Sequence, residues 1–145
     1  MAPFHFDDII RVQEVDVEGK KYDKVSRIDA KSEDGEIYMQ LDVHSDLYPM
    51  RSKEKYRMVL SETLNFDGSA VSSYPSEGKE KSLADKFEYV MHGLLYKISE
   101  EKSKSAVKVV VYISFGGLQL MVKGPAIKMH RYKIDQRLFL LLRKL

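Results

Sequence analysis

The side chains that could carry out catalysis or hold a metal are few and poorly spaced in this chain of 145 residues. Its histidines are far apart, at His5, His44, His92 and His130. Metal-binding histidines usually recur at short spacings, such as four positions apart on a helix, and no two of these do. The absence of cysteine excludes disulfides, thiol nucleophiles, iron–sulfur ligation and every cysteine-containing zinc site. We therefore expect no metal site.

The carboxylate pairs and the glycine pair are equally poor candidates for catalysis. The acidic pairs are Asp7–Asp8, Glu33–Asp34 and Glu100–Glu101. Adjacent residues on a strand point to opposite faces, so the two members of a pair cannot share acid–base work. Gly116–Gly117 is not followed by the Gly-Lys-Ser/Thr of a phosphate loop, and no Gly-x-Ser-x-Gly turn occurs. The sequence thus favours a protein that is not an enzyme by itself and uses no cofactor.

The hydrophobic pattern repeats mainly every second residue, which indicates strands. In Ile37–Val43, apolar residues occupy the odd positions while Gln40 and Asp42 take the other face. Gly93 interrupts the longest candidate, and we expect a bulge or sharp bend there. The eight predicted strands are Ile9–Val17, Val25–Ala30, Ile37–Val43, Tyr56–Ser61, Phe87–Ile98, Ala106–Phe115, Leu118–Lys123 and Leu138–Leu142.

Turn signals between these strands predict an all-β fold, with one domain over residues 1–145. Asp34–Gly35 indicates a tight hairpin, and proline ends strands at Tyr48–Pro49 and Gly124–Pro125 because it cannot donate to a ladder. A single antiparallel β-barrel of about eight strands, similar to the OB-fold, would leave no exposed edges. Residues 65–82, rich in serine, glycine and charge, form one long polar loop that we expect to be mobile.

Gly116 and Gly117 predict the register of one hairpin. A two-residue type I′ turn needs positive φ at both central positions, which glycine adopts freely. A slip by one residue would mix core and surface positions. The pairs predicted on one face are all apolar: Phe115 with Leu118, Ile113 with Leu120 and Val111 with Val122.

Charge is unevenly distributed along the chain. Residues 1–48 hold 6 basic and 12 acidic side chains, whereas residues 97–145 hold 11 basic and 3 acidic ones. Such asymmetry can mark a nucleic-acid or acidic-protein partner, although lysine and arginine also simply coat the outward faces of strands. Aromatic residues could form an OB-type stacking platform or belong to the barrel core. These aromatic residues are Phe87, Tyr89, Tyr96, Tyr112 and Phe115.

No apolar run approaches the roughly 20 residues that a membrane span needs. The amino terminus also lacks the basic start and apolar stretch of a signal peptide. We expect a soluble, intracellular domain that serves as a binding or assembly module and makes no membrane contact.

Several strings follow one another in order along nearly the whole chain. They are Phe6–Ile9, Val15–Asp16, Gly19–Arg27, Leu41–Val43, Tyr48–Pro49, Ser82–Gly93, Tyr112–Leu118 and Asp135–Arg143. Together they resemble the eighth common subunit, the small β-barrel family shared by eukaryotic nuclear RNA polymerases I, II and III. His92 stands where many members carry tyrosine, which is closer to the plant members. Met121 stands where the family usually carries arginine.

The resemblance implies a non-catalytic structural subunit in the nucleus, including the nucleolus. It would lie at the periphery of the multi-subunit polymerase core, dock mainly on the largest subunit, and make at most weak, non-specific contact with nucleic acid. We expect the partner to contact strand edges or the stretch Phe87–Tyr96, by strand addition or through side chains. The candidate contact residues are Phe87, Tyr89, Met91, Gly93 and Tyr96.

Two other functions stay open at this point. A free-standing OB-type protein that binds single-stranded nucleic acid is favoured by the basic residues 97–145. A barrel that binds a small ligand has only the number of strands in its favour.

Overall fold

The computed structural model describes residues 4–16, 19, 24–64 and 82–145. Its eight strands form one closed antiparallel barrel. Two short 3₁₀ turns lie at Leu83–Lys86 and Ala126–Lys128. The predicted all-β class and eight-stranded barrel are confirmed, whereas similarity to the OB-fold stays a prediction. The strands are β1 (Phe6–Val15), β2 (Val25–Ser32), β3 (Tyr38–His44), β4 (Lys55–Ser61), β5 (Tyr89–Lys102), β6 (Val107–Phe115), β7 (Leu118–Pro125) and β8 (Arg137–Lys144).

Around the barrel the strand order is β1-β2-β3-β7-β6-β5-β8-β4, and β4 pairs with β1 to close it. Two three-stranded meanders, β1 to β3 and β5 to β7, therefore face each other. They meet directly between β3 and β7, and β8 with β4 joins them on the other side. The final leucine-rich segment, predicted to be a strand, becomes the buried link between the amino-terminal and central parts of the chain.

The seam between β3 and β7 pairs only Tyr38–Leu41 with Leu120–Lys123. Beyond this seam, a hydrogen bond from the backbone of β7 to the buried Asp42 carboxylate replaces the backbone pairing. Its Oδ2 accepts the backbone N–H of Gln119 at 3.1 Å, and its two oxygens accept Arg27 Nε and Nη2 at 2.8 and 3.1 Å. A bidentate charge-assisted pair of this kind is stronger than a neutral hydrogen bond. Asp42 thus ties β2, β3 and β7 together.

Alternate side chains point into the barrel and form one core. Along β3, the predicted inward residues Met39, Leu41 and Val43 are fully buried. A second, smaller apolar cluster lies outside the barrel wall, where Val59 of β4 and Leu141 of β8 are covered by other side chains. The covering residues are Leu83, Phe4, Leu64, Phe87 and Phe139.

Each mouth of the barrel is closed by a connection between strands. The β7–β8 connection, residues 126–136, buries Met129 and Tyr132 in the core at the end where β1, β6 and β8 begin. We call this end, together with the outer parts of β5 and β6 beside it, the cap end. The β3–β4 connection, residues 45–54, packs Tyr48 and Met50 against the core at the opposite end, which we call the turn end.

The turn end also carries the β6–β7 hairpin, whose predicted register is confirmed. Phe115 pairs with Leu118, and the ladder continues inward through the predicted apolar pairs. Gly116 and Gly117 adopt φ of 62° and 104°, as a type I′ turn requires.

The bulge in β5 lies three residues beyond its predicted position. The pairing of β5 with β6 shifts between Leu95 and Lys97, so Tyr96 is the extra residue and the prediction of a bulge at Gly93 was wrong. Gly93 serves another purpose. A Cβ there would overlap the carbonyl oxygen of Ser114 and lie 2.6 Å from Phe115 Cδ1. Glycine is needed at this position because β6 comes too close for any side chain.

The predicted mobile loop, residues 65–82, lies outside the described residues except for its last position. Its two flanks are held together, since Leu83 N–H donates to the carbonyl oxygen of Leu64 at 2.6 Å. A helix long and apolar enough to cross a membrane does not occur in the described ranges.

We predict that Gly117→Val destabilises the barrel by at least about 1 kcal/mol, because valine resists the left-handed conformation at this position. No atom lies within 4 Å of the new Cβ, so the loss would arise from the backbone rather than from a clash. Urea unfolding of the purified chain measures it, with Met121→Val on the same strand as control. A Gly117→Val chain as stable as wild type would contradict the turn assignment.

Candidate partner-binding surfaces

The five predicted contact residues do not form one surface. Tyr89 and Met91 pack against the barrel core, and Gly93 is buried under β6. Phe87 belongs to the outer apolar cluster. Tyr96 alone among the five is exposed, because it follows the inward-facing Leu95 and lies on the outer face of β5. The alternation along β5 therefore separates side chains that are close in sequence.

Tyr89 holds the β3–β4 connection at the turn end, and its ring is covered by Tyr48. Its ring stacks on Tyr48 with centroids 5.1 Å apart and planes 6° apart. Its hydroxyl accepts the backbone N–H of His44 at 3.2 Å, while the Tyr48 hydroxyl donates to Glu88 at 2.7 Å. Burial and the neighbouring Glu88 carboxylate raise the pKa of Tyr48 well above its usual range. The Tyr48 hydroxyl therefore stays neutral, and the stacked pair holds residues 45–54 against β5.

Phe87 lies near two guanidinium groups on the outer wall. Arg57 and Arg143 place their Cζ atoms 5.3 and 5.9 Å from the ring centroid. Arg57 also makes a bidentate pair with Asp7 at 3.1 and 3.0 Å, and this pair raises the pKa of Arg57. Because Phe87 already contacts both arginines and is half-buried, its contacts explain its place in the fold without a partner.

Tyr96 lies beside Tyr112 of β6, with ring centroids 6.3 Å apart. The Nζ of Lys97 stands 5.1 Å from the centre of the Tyr112 ring. This small group is what the structure retains of the predicted stacking platform, since Phe115 is buried and Phe87 and Tyr89 are elsewhere. Two tyrosines and one lysine offer room for one or two bases, not for a continuous strand.

The cap end gathers most of the basic residues from the carboxyl-terminal third. They come from the outer parts of β5 and β6, from the β7–β8 connection and from the first residue of β8. Lys128 is neutralised by Asp34 at 3.0 Å and Glu36 at 3.3 Å. The others at this end are Lys97, Lys102, Lys104, Lys108, Arg131, Lys133 and Arg137.

Two exposed isoleucines at the cap end escaped the sequence analysis. Ile127 is 81% exposed and Ile134 is 50% exposed, both in the β7–β8 connection. Hydrophobic periodicity does not reveal them, because the connection has no regular repeat. The available signal was weaker: isolated isoleucines flanked by lysine and arginine in a segment between two strands.

The side chain of His5 is nearly inaccessible at the cap end, with a relative exposure of 3%. Its Nε2 lies 3.1 Å from Gln136 Oε1, and its ring meets Tyr132 edge-on with centroids 5.2 Å apart. Burial lowers the pKa of His5. Within the described part of the chain, no group of three or more histidine, aspartate or glutamate side chains is placed to hold a metal ion. His5 therefore anchors the start of β1 to the β7–β8 connection.

We predict that Gly93→Ala destabilises the fold by about 1–3 kcal/mol, the usual cost of overpacking a close contact. Urea unfolding of the purified chain measures the loss. His92→Tyr at the next position is the matched control, because His92 stacks on the surface of Phe139 at 4.1 Å and a tyrosine ring can stack there too. Equal stability of Gly93→Ala and wild type would show that β6 can move away, and Gly93 would again be a candidate contact residue.

Comparison with known proteins extends over the whole barrel. The model of the RNA polymerase Rpb8 family matches residues 7–144. "DNA-directed RNA polymerases II, IV and V subunit 8B" of Arabidopsis thaliana is 46% identical, covering 97% of this chain and 95% of that protein. "DNA-directed RNA polymerases I, II, and III subunit rpabc3" of Dictyostelium discoideum is 40% identical over 99% of each chain.

The relative from Saccharomyces cerevisiae, "DNA-directed RNA polymerases I, II, and III subunit RPABC3", is 35% identical and covers 96% of this chain and 97% of that protein. The resemblance drawn from the ordered strings is thereby confirmed, including its plant-like character. A match of this length and order leaves no strand of the barrel unaccounted for. The chain belongs to the RNA polymerase Rpb8 family.

Proposed function

We propose that this chain is a non-catalytic assembly subunit of nuclear DNA-directed RNA polymerases and that it docks on the largest subunit. The observation that carries the proposal is the extent of the family match, which runs from the second residue of β1 to the last residue of β8. The relatives are named as polymerase subunits, and each is covered almost completely. The similarity therefore covers the whole barrel, which supports assigning the role of a polymerase subunit to the complete fold.

The chemistry of the barrel supports a component rather than an enzyme by itself. Among the described residues, the buried Asp42 carboxylate holds β2, β3 and β7 together, and the buried hydroxyls of Ser32 and Ser61 make local bonds to Asp34 and Thr63. The buried histidine His5 is held by Gln136 and Tyr132. Polymerase chemistry would reside in the large subunits, and this chain would support their assembly.

The set of polymerases served follows from the relatives. Those of Dictyostelium and Saccharomyces are named for polymerases I, II and III, and that of Arabidopsis for II, IV and V. We propose that this chain serves several nuclear polymerases through one docking face, in the nucleus and the nucleolus. A subunit shared in this way must recognise a feature that the largest subunits have in common.

Affinity purification tests this proposal directly. A tagged full-length chain expressed in its own cells should co-elute with the largest polymerase subunit at a one-to-one ratio, measured by quantitative mass spectrometry. Gly117→Val serves as a folding-impaired control and should reduce the yield of the complex. Polymerase that retains every other subunit but never contains this chain would contradict the proposal.

The nucleic-acid alternative makes a different prediction. The described surface offers two small tyrosine–lysine groups, at Tyr112 with Lys97 and at Tyr38 with Lys123, and otherwise scattered cations, so the isolated chain should bind a 30-nucleotide single strand only weakly. Fluorescence anisotropy should show the affinity falling steeply as salt rises, with the same result for different sequences. Sub-micromolar, sequence-selective binding at physiological salt would favour a free-standing single-strand binder.

A further inference from the structure

The exposed apolar side chains of the barrel concentrate at the cap end. Of the exposed large hydrophobic residues in the described ranges, four lie there and two at the turn end, with one on the outer wall. Isolated exposed hydrophobic residues are ordinary, whereas several on one surface mark an interaction site. The four at the cap end are Tyr96, Val107, Ile127 and Ile134.

Backbone contacts bring these four residues together in two pairs. Leu95 donates to the carbonyl oxygen of Gln136 and accepts from the N–H of Asp135, both at 2.9 Å. Tyr96 and Ile134 therefore flank the same pair of hydrogen bonds. Lys108 of β6 pairs with Pro125 of β7, so Val107 and Ile127 flank that contact in the same way. The second pair lies further along the same hairpin, where Val107 pairs with Lys102, six residues beyond Tyr96.

The connection that carries the two isoleucines is held in a defined conformation. Gln136 organises it: its Oε1 accepts the Lys133 N–H at 2.8 Å, and its Nε2 donates to the Arg131 carbonyl oxygen at 3.1 Å. Asp135 adopts a left-handed φ of 72°, the conformation in which its N–H reaches Leu95. Met129 and Tyr132 anchor the connection in the core. A surface fixed before binding loses little entropy when a partner docks.

The β7–β8 connection at the cap end is positively charged, while the outer part of β5 also carries Glu100 and Glu101. In the segment 124–137 the charged side chains are Lys128, Arg131, Lys133 and Arg137 against the single acid Asp135. Lys128 is paired with Asp34 and Glu36, but Lys133 and Arg137 are exposed and form no salt bridge with a described residue. Their charge is therefore available to an acidic partner.

We propose that the cap end is the docking surface for an acidic protein segment that carries aliphatic side chains. This inference rests on the proposed function and names the surface and the chemistry through which a polymerase subunit is recognised. Isoleucine and valine gain nothing from stacking on bases, so aliphatic side chains among the cations favour protein over nucleic acid. A second copy of the chain would bring one basic surface against another, which charge repulsion opposes.

The partner segment would bury its aliphatic residues on Ile127 and Ile134 and place its carboxylates near Lys133 and Arg137. Apolar anchors surrounded by complementary charge are the usual arrangement of an interface, in which a few side chains contribute most of the affinity. The rim cations would mainly speed association and make it salt-dependent.

Two variants of the full chain test the surface. Ile127→Asp with Ile134→Asp removes the anchors, and Lys133→Glu with Arg137→Glu reverses the charge. The controls carry the same changes at the turn end: Leu47→Asp, at a residue that is 72% exposed, and Lys53→Glu. All positions are on the surface, and thermal melting of each purified variant verifies folding before binding is compared.

The readouts are the fraction of tagged chain that elutes with polymerase from cells and the affinity for the co-expressed largest subunit alone. We expect the cap-end variants to lower incorporation at least tenfold and the turn-end controls to leave it unchanged. Cap-end variants that incorporate like wild type, or controls that lose incorporation equally, would overturn the inference.

The two proposals fail in distinguishable ways. If wild type enters polymerase but does not bind the largest subunit alone, the docking partner in the proposed function is wrong, and the cell-based comparison still decides the role of the cap end. Incorporation that ribonuclease abolishes would assign this surface to nucleic acid and overturn the inference. A wild-type dimer in sedimentation that Ile127→Asp dissolves would likewise assign it to a second copy.

Discussion

Closure of the barrel at the seam between β3 and β7 is the constraint on which the rest of the structure depends. This seam has four residue pairs, fewer than any other in the barrel. Asp42 extends it by accepting the Gln119 N–H while it is held by Arg27. If the seam opened, two unpaired edges would be exposed and the inner faces of both meanders would meet water. A single buried carboxylate therefore helps to keep the barrel closed.

The long strand β5 determines which side chains remain available for binding. It pairs with β8 over Tyr89–Leu94 and with β6 over Leu94–Lys102, so its two halves serve different neighbours. The first half directs Tyr89 and Met91 into the core, while Tyr96, at the bulge, lies on the outer face. Beyond Leu94, the hydrogen bonds of β5 on this side go to the β7–β8 connection, which bonds to Leu95. The strand β5 thus belongs both to the barrel wall and to the proposed binding surface at the cap end.

Much of the fold could be predicted because its signals are local. Alternation in Ile37–Val43 and the glycine pair Gly116–Gly117 depend on neighbours in sequence, and both led to the observed strands and register. The position of the bulge could not be predicted, because Gly93 is required by the approach of Ser114, a contact between distant strands. The cap end could not be predicted for the same reason: it is assembled from segments far apart in the chain, and its isoleucines lie in a segment without periodicity.

Cross-linking mass spectrometry of the assembled polymerase with an amine-to-carboxylate reagent tests the central claim most directly. We expect Lys133, and with it Lys97 and Lys102 at the same end of the barrel, to cross-link to aspartate or glutamate residues of the largest subunit. Lys53 at the opposite end of the barrel should give no such products. Cross-links to the largest subunit that arise from Lys53 and Lys144, with none from the cap end, would contradict it.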